Sequence, residues 1–277
     1  MQKNTTRLWW IICMTAFLLL SLTACAGNDN SKEDDISGKN ETGSGADLST
    51  VDMDITLATL NIKYGYEGLD KVSEAIKEIS PDIIGLQEVD VNCDRSGNVD
   101  EVAELAKMAG YDYYEFAKAI PLYDGEYGTA ILSRYPIESF EVMPLYSGSG
   151  EERSVGHAVI NVEGLKLDVL VTHLTYQSRA VRIAQMETIS DMLKSYDQYV
   201  LLGDFNSFSI EDFSNLGGTY YVNREDRPYV TMKWKDRELA IDNIVVSDGF
   251  SELSSGVFDN ECSDHKMLYA VFHLCGK

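Results

Sequence analysis

The segment Leu201-Leu202-Gly203-Asp204-Phe205-Asn206 ends an apolar run on a carboxylate and a carboxamide two residues apart. In an extended chain residues i and i+2 project to the same side. Asp204 and Asn206 would then face one partner, the carboxylate to orient or deprotonate water and the carboxamide to donate to a phosphate oxygen. The same residue types also make local turn bonds. Ser263-Asp264-His265 sets an anionic metal or imidazole partner beside a titratable base, where a helix or strand cap is the plainer reading. Asp242 lies in the apolar stretch Ile241-Asp242-Asn243-Ile244. Buried acids are seldom left unpaired, so a histidine partner is expected, with a surface-bonded edge-strand Asp as the alternative. His173 ends another apolar run, where a lone imidazole is more often a satisfied core residue than a catalyst. Glu88 closes a run with a carboxylate that suits a hard divalent ion, and Asn61 closes the first. Each position alone has an ordinary structural reading. Six such positions in one chain make that reading hard to sustain.

The elements that must carry these groups follow from periodicity. Residues 54–61 alternate as a strand. Leu69, Val72, Ile76 and Ile79 recur at helical spacing, and Pro81 closes that helix. Residues 82–89 read as a buried strand, and 100–109 as a helix capped by Gly110. Strands are expected at 129–133, 140–145, 158–162 and 165–173. A helix at 179–195, a strand at 199–202 and strands at 240–246 and 267–274 follow. A strand–helix–strand start with many later strands implies two sheets with helices outside. Asn61, Glu88, His173, Asp204 and Asp242 fall at strand ends, where side chains of α/β proteins converge on sites.

At this point the chain resembles the endonuclease/exonuclease/phosphatase superfamily, the group of pancreatic-type deoxyribonucleases, abasic-site endonucleases, neutral sphingomyelinases and inositol phosphatases. The resemblance covers about residues 54–272. It rests on the ordered set ATLNI, GLQEV, GTAILSRYPI, THL, GDFN, IDNI and SDH. It implies a DNase I-like α/β fold, a four-layer α/β/β/α sandwich of two mostly antiparallel sheets flanked by helices. It implies Glu88 as principal metal ligand with Asn61 nearby and Asp264 helping, the ion being Mg²⁺ or Mn²⁺. Asp204 and Asn206 would sit at the phosphate, with Asp242 paired to His265 and His173 as a second phosphate-facing imidazole. Family members differ on whether Asp204 or His265 is the general base, and this sequence supplies both.

Arg95, in EVDVNCDRSG, either clamps a substrate phosphate bidentately or stands solvated in a loop. Arg153 and His157 lie on a segment that resembles a family strand often carrying an Arg, with a surface strand as the alternative. Arg182 and Gln185 read as structural, bonding the loop after His173. The aromatic run Tyr111, Tyr113, Tyr114 and Phe116 reads as core and edge packing.

The remaining expectations come from composition and the N-terminus. The chain has 277 residues, 25% charged and 44% hydrophobic, with five Pro and 21 Gly, which excludes collagen-like, coiled-coil and wholly disordered chains. Lys3 and Arg7 precede an apolar run at 8–20, which is the length of a signal-peptide core and short for a spanning helix. Leu22-Thr23-Ala24-Cys25 resembles a bacterial lipobox, so residues 1–24 are expected to be a lipoprotein signal, Cys25 the lipidated terminus and 25–50 a polar tether. A non-cleaved anchor or ordinary secretory signal is the alternative; each means export. Residues 51–277 form the expected catalytic domain. Of 45 acids and 23 bases, six and four precede Val51, which leaves the domain with 39 acids against 19 bases. So acidic a domain grips long polyanions poorly. A small phosphoester or lipid headgroup is the expected substrate, with nucleic acid disfavoured, membrane contact through the N-terminal lipid, and a monomer expected. The rivals are a secreted nuclease and a non-catalytic surface binding protein. Cys93, Cys262 and Cys275 allow at most one disulfide, and no CxxC or Cys/His zinc spacing is present.

Overall fold

The computed structural model describes residues 51–216, 220–259 and 261–276. The expected signal, Cys25 and tether lie outside the described residues.

The chain opens as β1 (Asp52–Asn61), α1 (Leu69–Ile79) and β2 (Ile83–Val91), then α2 (Glu101–Ala109), β3 (Tyr113–Leu122) and β4 (Gly125–Ser133). The second half runs β5 (Ile137–Leu145), β6 (Arg153–Val162), β7 (Leu165–His173), α3 (Arg179–Leu193) and β8 (Tyr199–Asp204). It closes with β9 (Tyr220–Tyr221), β10 (Met232–Trp234), β11 (Arg237–Leu239), β12 (Asp242–Val246), β13 (Phe250–Phe258) and β14 (Met267–Cys275). One six-stranded sheet has the order β13-β14-β1-β2-β4-β3, and the other the order β5-β6-β7-β8-β12-β9. A two-stranded hairpin of β10 and β11 stands apart from both. The expected fold is the one found.

Alternation within strands builds the layers. Ile55 and Leu57 of β1 face the core between the sheets, together with Val169 and Val171 of β7 and Leu202 of β8. Ala58 and Leu60 point the other way, onto Val72 and Ile76 of α1 and Leu105 of α2. On the second sheet's outer face Leu170 and Leu201 meet Met186 and Ile189 of α3. The sheets approach closely at Gly85, where an added Cβ would stand 2.8 Å from Leu202 Cβ. Side-chain caps set the helix starts: Asp100 accepts the Ala103 N–H at 3.0 Å, and Ser178 accepts that of Val181.

Each sheet holds one parallel pair, β1/β2 and β7/β8, each joined through a helix. A parallel crossover returns the chain to the same end of the sheet, so both pairs deliver their polar C-terminal residues to one edge. His173 stands opposite Asp204 in the β7/β8 register, and Asp242 stands opposite Asp204 across β8/β12.

The strands β3 and β13 were not expected. Both are sheet edges, which tolerate polar, exposed sequence that hides strand periodicity. The aromatic run packs as expected: Tyr111 is buried with its hydroxyl donating to Pro81 O at 2.6 Å, while Tyr113 and Tyr114 are exposed on β3. Among the described residues no disulfide forms; Cys93 and Cys262 are buried and Cys275 is exposed. No described helix is long and apolar enough to cross a membrane.

Candidate active site

The strand ends surround the Asp204 carboxylate, which is 1% exposed at the close of β8. Asn61 Nδ2 donates to Asp204 Oδ2 at 3.1 Å and to Glu88 Oε1 at 3.0 Å. His173 Nε2 lies 3.4 Å from the same Asp204 oxygen, and His265 Nε2 lies 3.8 Å from it. Arg153 Nη1 is 3.5 Å from His173 Nδ1. A guanidinium only donates, so Nδ1 accepts and the His173 proton sits on Nε2, facing Asp204. Asp242 Oδ2 lies 2.9 Å from His265 Nδ1, which orients His265 Nε2 toward Asp204. One carboxylate oxygen thus faces an amide and two imidazoles drawn from three other segments of the chain. Glu88 reaches this cluster from a bulge in β2, where its φ is +55°. A bulge inserts an extra residue and re-aims the side chain there.

Burial and neighbouring charge separate the titrating groups. Burial, then Arg153 and His265, hold His173 well below the usual imidazole range, so it is neutral. Burial and the Asp242 charge push Asp204 up to about 7, against His265 and the bonds from Asn206 and Asn61. Burial opposes a charge on His265, yet Asp242, Asp204 and Asp264 outweigh it and raise His265 to about 10.

The expectation of an extended Asp204–Asn206 segment is corrected. Asn206 is left-handed at φ +49°, its N–H donates to Asp204 Oδ1 at 2.9 Å, and its Nδ2 donates to Leu174 O at 3.0 Å. The turn bonds and the site are therefore one arrangement, since Asp204 and Asn206 both line the cleft. Arg95 also differs. Its Nε and Nη2 are taken by Asp90 at 2.7 and 2.8 Å, and its guanidinium lies over Tyr64 and Tyr127. It lines the cleft with one edge of its guanidinium bound to Asp90, which leaves the Nη1 side of the fork as donors. Arg153, 4% exposed, pairs with Glu151 at 2.7 Å and backs His173. His157 is bound by Asp168 and Glu141 and does not line the cleft. Arg182 and Gln185 hold the loop after His173 through Thr175, each at 3.0 Å.

Glu88, His173, Asp204, Asn206, Asp264 and His265 line a cleft of about 530 Å³. The lining also includes Ile120, Leu122, Tyr176, Phe208 and Trp234, none of which the motifs had marked. Their signal in the sequence is faint: Trp234 stands in the polar stretch Thr231-Met232-Lys233-Trp234-Lys235, where an indole has no core to fill.

The donor set fits a hard divalent ion. Glu88 and Asp264 both line the cleft and offer carboxylate oxygens. Lys63 Nζ now neutralises Asp264 at 3.0 Å. Asn61 turns its N–H to Glu88, while its oxygen accepts the Lys63 N–H at 3.0 Å, so it supports Glu88 and does not present an oxygen to it. Asp204, Asp242 and His265 also bring ligand-type atoms within 4.8 Å of one another.

Two packed mixed sheets with acids, imidazoles and amides gathered at one edge define a class, and the chain belongs to the Endonuclease/Exonuclease/phosphatase family, whose model matches residues 58–265. Among its relatives is the uncharacterised protein YbhP of Escherichia coli, 24% identical over 81% of this chain and 98% of that one. The endonuclease/exonuclease/phosphatase of Beutenbergia cavernae shares the fold at a TM-score of 0.67 and 21% identity, over 80% of this chain and 72% of that one. The mannosyl-6-phosphatase of Bacteroides thetaiotaomicron shares it at a TM-score of 0.62 and 16% identity, over 78% and 98% of the two chains.

Proposed function

We propose that the protein is an exported, lipid-anchored, divalent-metal-dependent phosphoester hydrolase that attacks a phosphodiester with water. The observation that carries this reading is the convergence of Asn61, His173 and His265 on one oxygen of Asp204. Donors gathered so closely around a cleft floor suit the oxygens of a phosphoryl group. With phosphate in place, His173 Nε2–H and the Asn206 segment bind it, and Arg153 fixes the His173 tautomer. Asp204 accepts the proton of the water as its oxygen bonds to phosphorus. The ester P–O bond opposite breaks in line, and His265, held by Asp242, gives its Nε2 proton to the leaving oxygen. A Mg²⁺ or Mn²⁺ ion held by Glu88 and Asp264, with Asn61 positioning Glu88, would polarise a phosphoryl oxygen and neutralise developing charge.

The apolar side chains in the cleft lining and the acidity of the domain favour a small phosphoester or lipid headgroup over long nucleic acid. The sugar-phosphate specificity in the name of the Bacteroides relative supports a compact substrate. Export and anchoring rest on the residues 1–25 pattern, and loss of fatty-acid labelling in Cys25→Ala is their test.

The activity test is turnover with and without Mg²⁺ or Mn²⁺ on an aryl phosphodiester, an aryl phosphomonoester, sphingomyelin, plasmid DNA and short RNA. Metal-dependent turnover of a small ester, lost in His265→Ala, is expected. Preferred cleavage of DNA or RNA with strong salt dependence would replace this reading by the nuclease. Ligand binding without turnover on any substrate would replace it by a binding protein.

A further inference from the structure

A second group of side chains of metal-ligand type lies at the other end of β1. Nine residue steps separate Asp52 from Asn61, roughly 30 Å at ~3.3 Å each. In the antiparallel β1/β14 pair, Asp52 stands opposite Cys275 and Asp54 opposite His273. Ile55, Leu57, Phe272 and Leu274 of the same strands face the core between the sheets. Strand alternation therefore puts Asp52, Asp54, His273 and Cys275 together on the outer face. His273 is held from both sides: Nδ1 lies 2.9 Å from Asp54 Oδ1, and Nε2 lies 2.9 Å from Asp52 Oδ1. Ligand atoms of Asp52, His273 and Cys275 all lie within 4.8 Å of one another. The main chain beneath the thiol is anchored, because Cys275 N donates to Gly249 O at 3.0 Å and Cys275 O accepts from Gln198 Nε2 at 3.1 Å.

We propose that Asp52, His273 and Cys275 form a surface zinc site, with Asp54 behind the imidazole. Sulfur, nitrogen and carboxylate oxygen together suit Zn²⁺, whereas the oxygen donors of the cleft suit Mg²⁺ or Mn²⁺. A metal-bound histidine commonly donates its second ring N–H to a carboxylate, and Asp54 is placed to accept it. Binding releases the Nε2 proton of His273 and the thiol proton of Cys275, and the ion takes the place between Nε2 and Asp52 that the proton now holds. Three protein ligands leave one coordination position for water or an external donor. The ion would tie the first strand of the domain to the last, through Asp52 on β1 and His273 and Cys275 on β14.

The test is titration of the reduced protein with Co²⁺, then Zn²⁺, in excess Mg²⁺ to occupy the cleft. A thiolate-to-cobalt charge-transfer band saturating at one equivalent is expected in the wild type and displaced by Zn²⁺. Cys275→Ser loses the band, His273→Ala weakens or loses it, and only the wild type gains thermal stability with Zn²⁺. Metal-free melting of each variant checks its fold. No band from folded, reduced wild type overturns the proposal. So does a band that persists in Cys275→Ser, since it would come from another cysteine of the chain.

Discussion

Glu101 offers a stability prediction whose sign is unusual for a carboxylate. It begins α2, is 1% exposed, and its Oε2 accepts the Asp90 N–H at 2.8 Å. Burial pushes its pKa up to about 8, with the Asp90 and Asp100 charges adding and the Asp90 N–H and Arg95 opposing. The folded protein therefore holds this proton more tightly than the unfolded chain, where the ordinary value is 4.5. Between those values the native state binds more protons, so stability falls as pH rises. The slope approaches 1.4 kcal/mol per pH unit, which gives a loss of about 3 kcal/mol from this group between pH 5 and 8. Glu101→Gln removes the titration and keeps an oxygen for the Asp90 N–H. Urea unfolding of wild type and variant at pH 5, 6.5 and 8 measures the difference. The variant should gain on the wild type steadily with pH and be the more stable at pH 8. A difference independent of pH, or a variant less stable at pH 8, would show that Glu101 ionises at an ordinary pKa and would refute the argument from burial. The same residue bears on the cleft, because Asp90 carries Arg95 to its rim.

Asp204→Asn and His265→Ala should each lower kcat by about 10²–10⁴-fold with little change in KM, as loss of a positioned proton-transfer group does; steady-state kinetics on the preferred ester decide it, and an unchanged kcat removes that residue from the chemistry. Trp234→Ala should raise KM roughly ten-fold for esters with bulky leaving groups, through lost aromatic contact, and leave a compact aryl ester unaffected. Gly85→Ala forces a methyl into Leu202 across the sheets and should cost about 1–3 kcal/mol of unfolding free energy, read by denaturant titration. Chelation of divalent ions should abolish turnover, and Mg²⁺ or Mn²⁺ should restore it in the wild type but not in Glu88→Ala; full activity after chelation would remove the metal from the mechanism.

Much of this molecule is written in local sequence. The 3.6-residue spacing of Leu69, Val72, Ile76 and Ile79 became α1, and the alternation at 54–61 became β1. Polar residues closing those apolar runs stood out because a strand end is where a buried chain can first afford an ionisable group. An acid in an apolar strand needs a partner, so a histidine is expected beside Asp242; the family resemblance points to His265, and the two lie 2.9 Å apart. What tertiary structure alone decided is whatever depends on contacts between distant segments. Edge strands β3 and β13 carry little hydrophobic pattern because only one side of each is paired. Asn206 is left-handed because its N–H and carboxamide close onto Asp204 and Leu174. The fork of Arg95 goes to Asp90, which no spacing rule assigns to it. No zinc spacing exists in the sequence, yet β1 pairs with β14 and sets Asp52 and Asp54 beside His273 and Cys275. Periodicity is a property of neighbours along the chain, whereas a ligand cluster is a property of register between strands, and register is settled only when the two sheets close on their core.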